Sequence, residues 1–250
     1  MKLATPLLSL LLLLTTASYA HSPLKICYES PEDTSDLLSY RAGYEAAFGV
    51  YLAVVLEALE TLQQPYELHQ LPWRRCLAAT IKGELDAVIG IGWTAERSQQ
   101  FYYPYQNNAP DDNKRITMLD YYVYSASNSA LTWDGKTFHH VKHGVATPSG
   151  YVTEQLLAEL GVLQSLDSSI GAGLDLVINN RLDGYVLAKE IAELQLRNHP
   201  NANQIRQLSP AFYQQAIFMV FSQQSALLNE QERAAIWSEL AKARLRQSLN

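Results

Sequence analysis

Strand-like apolar segments alternate with helical segments over residues 24–91, and this order restricts the fold more than any other feature. The segment Gly43–Leu62 has apolar residues at i, i+3 and i+4 spacing, which predicts a helix. A second helix is predicted from Pro72 to Lys82, with Gly83 as its stop signal. The predicted strands around these helices are Leu24–Tyr28, Tyr66–Leu71 and Leu85–Ile91. Strands and helices that alternate in this way are typical of a parallel α/β sheet.

The rest of the chain repeats this alternation. Its predicted strands are Ile116–Ser125, Gly144–Ala146, Leu182–Leu187 and Ala216–Phe221. Its predicted helices are Val152–Leu160, one that ends within Asp175–Asn180, and Glu230–Leu249. The pairs Leu85-Asp86 and Leu182-Asp183 each stand between a helix and an apolar strand, which indicates two related lobes. No low-complexity linker separates the halves, so a connection through strands, suited to hinge closure, is expected.

The first twenty residues have the order of a secretory signal peptide. Met1-Lys2 is basic, Leu7–Leu14 is almost continuously apolar, and Ser18-Tyr19-Ala20 resembles a cleavage site. The apolar stretch is shorter than the roughly 20 residues that span a bilayer. We therefore predict a mature protein of residues 21–250 outside the cytoplasm, without stable membrane insertion after cleavage.

The charge of the mature chain excludes some classes of partner. Cleavage removes Lys2 and no acidic residue, which leaves 18 Lys and Arg against 25 Asp and Glu, a net charge of −7. No block of basic residues stands out, so nucleic acid and anionic membranes are poor partners. The mature length of 230 residues suits one large or two modest α/β domains with an ample core, and the hydrophobic content of 48% argues against disorder.

Two cysteines, Cys27 and Cys76, lie in the first predicted strand and the second predicted helix. In an oxidising compartment such a pair is a disulfide candidate, and two separate buried thiols are the alternative, because the sequence does not give their distance. A metal site is not favoured, because the two cysteines lack the spacing of metal ligands. A predicted polar turn also contains three histidines, His139, His140 and His143, and a solvated loop is the favoured interpretation there. We expect no cofactor.

The segment of residues 71–105, LPWRRCLAATIKGELDAVIGIGWTAERSQQFYYPY, combines several motifs. They are a turn at Gly83–Asp86, a buried strand at Ala87–Ile91, the element Thr94-Ala95-Glu96-Arg97, and Tyr103-Pro104-Tyr105. Together they resemble the extracytoplasmic solute-binding proteins of polar-amino-acid ABC transporters. The resemblance extends more weakly over residues 22–250 and implies a location in the periplasm.

The resemblance implies a periplasmic-binding-protein-like (type II) fold, in which two α/β lobes are joined by hinge strands around a ligand cleft. We predict that residues 21–120 and 213–250 form lobe 1 and that residues 121–212 form lobe 2. The implied function is that of a monomer that captures a small polar, carboxylate-bearing ligand by lobe closure. A membrane permease or receptor would be its partner, and no catalysis is expected.

The resemblance also assigns candidate ligand-binding residues in lobe 1. The Arg of the Thr-x-x-Arg element holds the ligand carboxylate in that family, and it matches Arg97. A guanidinium donates two parallel hydrogen bonds to a carboxylate, although an exposed Arg on a helix is the alternative. Trp73 matches an aromatic ring that covers the ligand, and a core tryptophan is the alternative. Tyr28 and Glu29 follow the first strand, where relatives contact their ligands.

Further candidates follow from the position of ligands in open α/β sheets, beyond the carboxyl ends of the strands. In lobe 1 this rule adds Gly92 and Trp93. In lobe 2 it adds a turn that opens a helix, where free backbone N–H groups make an anion site, a role compatible with ordinary capping. The residues of that turn are Thr147, Ser149, Gly150 and Tyr151.

Some positions depart from the family pattern. The stretch Ile89–Trp93 lacks the hydroxyl residues that amino-acid binders carry before the Arg. The acid that holds the ligand's ammonium in those binders is replaced by Ala188, followed by Lys189, which would repel an ammonium. An organic anion, or an aromatic or modified ligand, therefore fits at least as well as a standard α-amino acid. The residues that favour such a ligand are Arg97, Lys189, Trp73, Trp93, Tyr151 and Tyr185.

Two other functions compete with solute capture. A dehydratase-like enzyme on this scaffold would need a general acid or base in the cleft, where Glu29 and Glu190 are the candidates. Neither acid has a recognisable catalytic partner in the sequence. A ligand-sensing co-receptor would pass its signal to a separate membrane kinase or cyclase.

Overall fold

A mixed β-sheet forms the centre of the structure, a computed structural model that describes residues 22–29, 51–197 and 199–248. The strands are β1 (Leu24–Glu29), β2 (Tyr66–Leu71), β3 (Ala87–Gly92), β4 (Phe101–Tyr102), β5 (Tyr105–Gln106), β6 (Ala109–Pro110), β7 (Thr117–Ala126), β8 (Thr132–Trp133), β9 (Phe138–His139), β10 (Val145–Ala146), β11 (Gly184–Ala188), β12 (Ile205–Gln207) and β13 (Tyr213–Ser222). Within these residues the central sheet runs β10-β11-β7-β13-β3-β1-β2, with β12 on β7 and β4 on β13.

Helices pack on this sheet. They are α1 (described over residues 51–61), α2 (Trp73–Ile81), α3 (Val152–Glu159), α4 (Ile170–Ile178), α5 (Lys189–Arg197) and α6 (Glu230–Ser248). Helix α2 contacts β1 and β3, while α4 and α5 contact β7 and β11. None of the helices within the described ranges is both long and apolar enough to cross a bilayer.

The predicted order of the first half is confirmed where the structure describes it. Strand β1 pairs in parallel with β2 and β3. Helix α2 begins after Pro72 and ends just before Gly83, whose φ of +75° is a left-handed value that glycine adopts without strain. The predicted helix Gly43–Leu62 is described from residue 51 onward, and residues 43–50 lie outside the described residues.

The predicted strands of the second half are present with boundaries shifted by at most three residues. Helix α5 was not predicted, because it follows β11 without a loop that would mark its start. The hairpins β5–β6 and β8–β9 were also missed, since strands of two residues are too short to show alternation. His139 lies in β9 rather than in a turn, and residues 249–250 of the predicted last helix lie outside the described residues.

Two long antiparallel strands, β7 and β13, connect the two groups of strands. Tyr213–Ile217 of β13 pairs with Thr117–Tyr121 of β7. Beyond this shared segment β13 continues along β3, and β7 continues along β11 and β12. Each strand thus belongs to both groups, an arrangement through which one group can rotate against the other. The lobe boundaries themselves remain a prediction.

The Leu-Asp pairs of the two halves have matching environments. The backbone N–H of Asp86 donates to Lys25 O at 2.9 Å, and the Lys25 N–H donates to Asp86 Oδ2 at 2.9 Å. Asp183 makes the same reciprocal pair with Gly144, at 3.0 and 2.9 Å. Equivalent contacts beside β1 and β10 support the interpretation of two related halves.

Candidate functional site

A small cavity lies beyond the carboxyl ends of β1 and β3, where the turn before α3 approaches them. Its volume is about 40 Å³, room for roughly three water molecules. This is the position at which open α/β sheets bind ligands. Five of the predicted residues line it: Glu29, Trp73, Gly92, Arg97 and Tyr151.

Arg97 lies just after β3, in the 3-10 turn Arg97–Gln99. Its backbone N–H donates to Thr94 Oγ1 at 3.1 Å, so the Thr-x-x-Arg spacing fixes the start of this turn. Its Nη1 donates to Gly92 O at 3.0 Å and its Nη2 to Gly150 O at 2.8 Å. Burial lowers the pKa of Arg97, while nearby Tyr103 and Tyr121 act in the opposite direction. The guanidinium is therefore partly withdrawn from solvent, with its donors directed at groups from both halves.

An aromatic wall stands beside this guanidinium. Trp73, the first residue of α2, is 8% exposed, and its ring centroid lies 5.9 Å from the Arg97 Cζ. The rings of Trp73 and Tyr151 meet edge to face, with centroids 6.1 Å apart. Trp73 Nε1 also donates to Gly150 O at 3.2 Å, and the Tyr151 hydroxyl donates to Glu29 Oε2 at 2.6 Å. The wall is thus held by hydrogen bonds as well as by packing.

A disulfide between Cys27 and Cys76 anchors two of these residues. The Cα atoms are 5.7 Å apart, and the bond joins β1 to α2. Glu29 follows Cys27 by two residues, and Trp73 precedes Cys76 by three. The pairing that the sequence left open therefore ties the carboxylate side of the cavity to its indole side.

The turn before α3 presents the Gly150 carbonyl to Arg97, whereas the sequence predicted backbone N–H groups as the binding groups there. Gly150 has a φ of +82°, and its N–H donates to Glu154 Oε2 at 2.7 Å. Its carbonyl oxygen faces Arg97. Thr147 is buried, and its Oγ1 bonds Thr153 Oγ1 at 2.6 Å and Val186 O at 3.0 Å. Ser149 Oγ accepts a hydrogen bond from Arg74.

Four other predicted residues lie outside the cavity lining. Tyr28 is half-buried and packs against the main apolar core. Trp93 is 37% exposed, and its Nε1 donates to Tyr105 Oη at 3.1 Å. Tyr185 is fully buried in the core beneath α4, and Lys189 pairs with Glu193 at 3.8 Å at the start of α5. Their roles in ligand binding remain predictions.

Sequence reasoning missed several residues of the cavity. Tyr121 and Gln215 face it from β7 and β13, and Tyr51 faces it from α1. Burial raises the pKa of Tyr121, and the nearby Glu29 charge raises it further, so its hydroxyl stays protonated. The Gln215 side chain leaves room only for glycine at position 92, because a Cβ on residue 92 would lie 2.0 Å from it. The rest of the lining is Gly90, Leu119, Val152, Ile191 and Ile217.

The lining combines one cation, one carboxylate and apolar walls. Arg97 supplies donors for an anionic group, and Glu29 is the one carboxylate among the described lining residues. Such a set can orient a small ligand, but it holds no second carboxylate for paired acid–base chemistry. In the described part of the chain, no group of three or more His, Cys, Asp and Glu side chains gathers as metal ligands would.

No protein-family model and no curated protein sequence matches the chain. Solved structures match its fold. A histidine kinase sensor domain with similarity to periplasmic binding proteins has a TM-score of 0.69 at 15% identity, over 91% of this chain and 92% of that one. The arginine-, lysine-, histidine-binding protein ArtJ from Geobacillus stearothermophilus has a TM-score of 0.66 at 14% identity, over 91% of both chains.

The ligand-binding core of GluR0, solved with L-glutamate, also has a TM-score of 0.66 at 14% identity, over 92% of this chain and 95% of that one. At these identities the likeness establishes the fold. The chain has the two-lobe α/β architecture of periplasmic binding proteins.

Proposed function

With that two-lobe fold as the premise, we propose that the chain is an extracytoplasmic solute-binding protein for a small, carboxylate-bearing ligand. The ligand enters the cleft around Arg97, the lobes close on it, and the closed surface is recognised by a membrane transporter. Export depends on the predicted signal peptide, residues 1–20, which lies outside the described residues.

The observation that carries this proposal is the position of Arg97. Its guanidinium is partly buried at the carboxyl end of β3, with one donor directed at Gly92 and one at the turn before α3. A ligand carboxylate at this place would receive charge-assisted hydrogen bonds, which are roughly twice as strong as neutral ones. Contact with both lobes gives the closed state the extra affinity that drives closure.

The aromatic and aliphatic lining narrows the ligand class. Trp73, Tyr121 and Tyr151 surround the guanidinium, while Leu119 and Ile217 add apolar surface. A ligand with a carboxylate at one end and an apolar or aromatic body fits this distribution of groups. Glu29 can accept a hydrogen bond from a second polar group of the ligand, such as an ammonium or a hydroxyl.

A sensor role is the second candidate, because a histidine kinase sensor domain is among the structures most similar in fold. In that case the closed form would contact a membrane receptor in place of a permease. Capture of the ligand would be the same in both roles. Binding assays therefore test the shared step, and pull-down with the candidate membrane partner tests the difference.

A thermal-shift screen of residues 21–250 against amino acids, organic acids, aromatic acids and polyamines tests the proposal. A compound at a hundred times its Kd stabilises the protein by about 2.7 kcal/mol, which raises the midpoint measurably. The expected result is a shift with at least one carboxylate that Arg97→Ala removes without loss of secondary structure. A hit that Arg97→Ala leaves unchanged contradicts the assignment of Arg97, and consumption of the hit compound indicates an enzyme.

A further inference from the structure

The turn Ser149–Tyr151 reaches across the cavity to residues of lobe 1, and we call this turn the latch. The Gly150 carbonyl accepts two hydrogen bonds there, one from Arg97 Nη2 at 2.8 Å and one from Trp73 Nε1 at 3.2 Å. These are the two residues that the sequence nominates for holding and covering the ligand. The latch thus engages the same groups that a ligand needs.

The neighbouring latch residues extend this contact. The Tyr151 hydroxyl donates to Glu29 Oε2 at 2.6 Å, which engages the carboxylate of the cavity lining. Ser149 Oγ accepts from Arg74, an exposed residue of α2. Every residue of the latch therefore makes a hydrogen bond to the other side of the cleft.

The latch is held in this conformation by its own lobe. Gly150 adopts a φ of +82°, which residues with a side chain rarely adopt, and its N–H donates to Glu154 Oε2 at 2.7 Å. A Cβ at Gly150 would also lie 3.3 Å from Trp73 Cδ1. Glycine at this position thus allows both the backbone turn and the close approach that aims the carbonyl at Arg97.

The volume of the cavity shows how little space these contacts leave for a ligand. The cavity measures about 40 Å³, whereas sites for small organic ligands measure roughly 300–1,000 Å³. Among the described residues, a ligand of that size gains room beside Arg97 when the latch moves away from Trp73 and Glu29. Opening of the cleft and release of the Gly150 carbonyl are therefore the same event.

We propose that the latch keeps the cleft closed in the ligand-free protein and restricts Arg97 to anionic ligands. This proposal depends on the ligand-binding function proposed above. Arg97 already has a neutral carbonyl as its acceptor, so a neutral ligand group only replaces one carbonyl by another. A carboxylate adds a full negative charge and two acceptor oxygens that match the guanidinium bidentately, and it thereby displaces Gly150. Gly150 and Tyr151 thereby act as specificity-determining residues.

Distance measurement between spin labels tests the closed state without any ligand. Labels at Lys82→Cys and Ala158→Cys, two exposed positions at the ends of α2 and α3, report the separation of the lobes. Both native cysteines are paired, so they do not compete for the label. We expect one short distance in this otherwise unmodified protein. Trp73→Phe with Tyr151→Phe removes two cross-cleft donors, which changes the open-to-closed ratio by about 30-fold.

Matched substitutions away from the cleft provide the control. Trp237 is 8% exposed, as Trp73 is, and its Nε1 donates to Met219 O at 2.8 Å within its own lobe. The Tyr124 hydroxyl bonds Gln207 Oε1 at 3.3 Å. The variant Trp237→Phe with Tyr124→Phe should keep the short distance. A long distance in the unmodified protein, or an unchanged distance in the Trp73 and Tyr151 variant, overturns the latch.

Pairs of acids and their amides test the selectivity in the thermal-shift assay. Aspartate with asparagine, glutamate with glutamine, and phenylacetate with phenylacetamide differ mainly in charge. We expect any stabilising compound to be the acid of its pair, and a stabilising amide contradicts the filter. Absence of every shift contradicts the proposed function instead, while the label distances still decide whether the latch closes the cleft.

Discussion

Asp183 is the counterpart of Asp86 in the other half of the molecule. Each aspartate exchanges a pair of hydrogen bonds with one backbone residue, Gly144 for Asp183 and Lys25 for Asp86. Asp183 Oδ2 also accepts the N–H groups of Lys142 at 2.6 Å and His143 at 2.5 Å. Each half therefore has the same corner, in which an aspartate that precedes one strand is hydrogen-bonded to the backbone at a neighbouring strand. The neighbouring strand is β1 for Asp86 and β10 for Asp183.

The first prediction concerns this corner. Asp183→Ala leaves three backbone N–H groups without their acceptor, so we expect a loss of about 3 kcal/mol in the free energy of unfolding. Asp86→Ala should cost less, because its carboxylate accepts one backbone N–H and one hydroxyl, that of Ser225. Urea denaturation followed by circular dichroism measures both. Asp167→Ala, at an exposed position, is the control and should change stability by less than about 0.5 kcal/mol.

Arg97→Lys separates charge from geometry. Lysine keeps the positive charge but lacks the planar fork, so we expect at least about a tenfold rise in Kd for the carboxylate found by the screen. Isothermal titration calorimetry measures the change. Arg75→Lys, the same substitution at an exposed position of α2, should leave the Kd unaltered. Equal affinities for the Arg97→Lys variant and the unmodified protein would count against bidentate binding.

The disulfide should contribute much of the stability of the part of the sheet that holds β1 and α2. Cys27 and Cys76 are separated by 49 positions, and a crosslink over a loop of that size stabilises by about 4 kcal/mol through loss of unfolded-state entropy. We expect Cys27→Ala with Cys76→Ala to lose stability of that order. Ligand affinity should also fall, because Glu29 and Trp73 are no longer tied together. Detection of two free thiols in the native protein would refute the pairing.

Acid sensitivity should arise where α6 meets α1. A hydrogen bond from Arg246 lowers the pKa of Glu57. The pKa of Glu239 is lowered by hydrogen bonds from Lys242, the larger effect, and from Arg246. The folded protein thus favours the ionised form of both carboxyl groups. Their contribution to the free energy of unfolding is complete above the pKa that they have in the unfolded chain, and it is lost as the pH falls. The stability difference between the unmodified protein and Arg246→Ala should therefore narrow from about pH 7 to about pH 3.

Urea midpoints at several pH values measure this difference. Arg181→Ala removes an exposed arginine, and its difference from the unmodified protein should stay constant with pH. A difference for Arg246→Ala that stays equally constant would show that Arg246 does not stabilise the ionised forms of Glu57 and Glu239.

The residues of the site differ in how far local sequence could reveal them. Arg97 and Trp73 stand in recognisable motifs beside a strand end, and both line the cavity. Tyr121 and Gln215 belong to long strands in which alternation shows only which side chains are buried. Whether a buried side chain faces the cavity depends on the pairing of β7 with β13. Tyr185 is the opposite case, a predicted site residue that does not line the cavity. Its strand is covered on both faces, and its ring lies in the core.

The sequence by itself determined the order of the longer strands and of the helices other than α5, the stop at Gly83 and the placement of Arg97 after β3, because these features depend on neighbours a few residues apart. Tertiary structure alone decided the Cys27–Cys76 pairing and the contact of Trp73 with Gly150, two residues 77 positions apart. Such contacts depend on how the sheet brings distant segments together, and local periodicity carries no information about that distance. For the same reason only the folded chain shows that the Gly150 carbonyl faces Arg97.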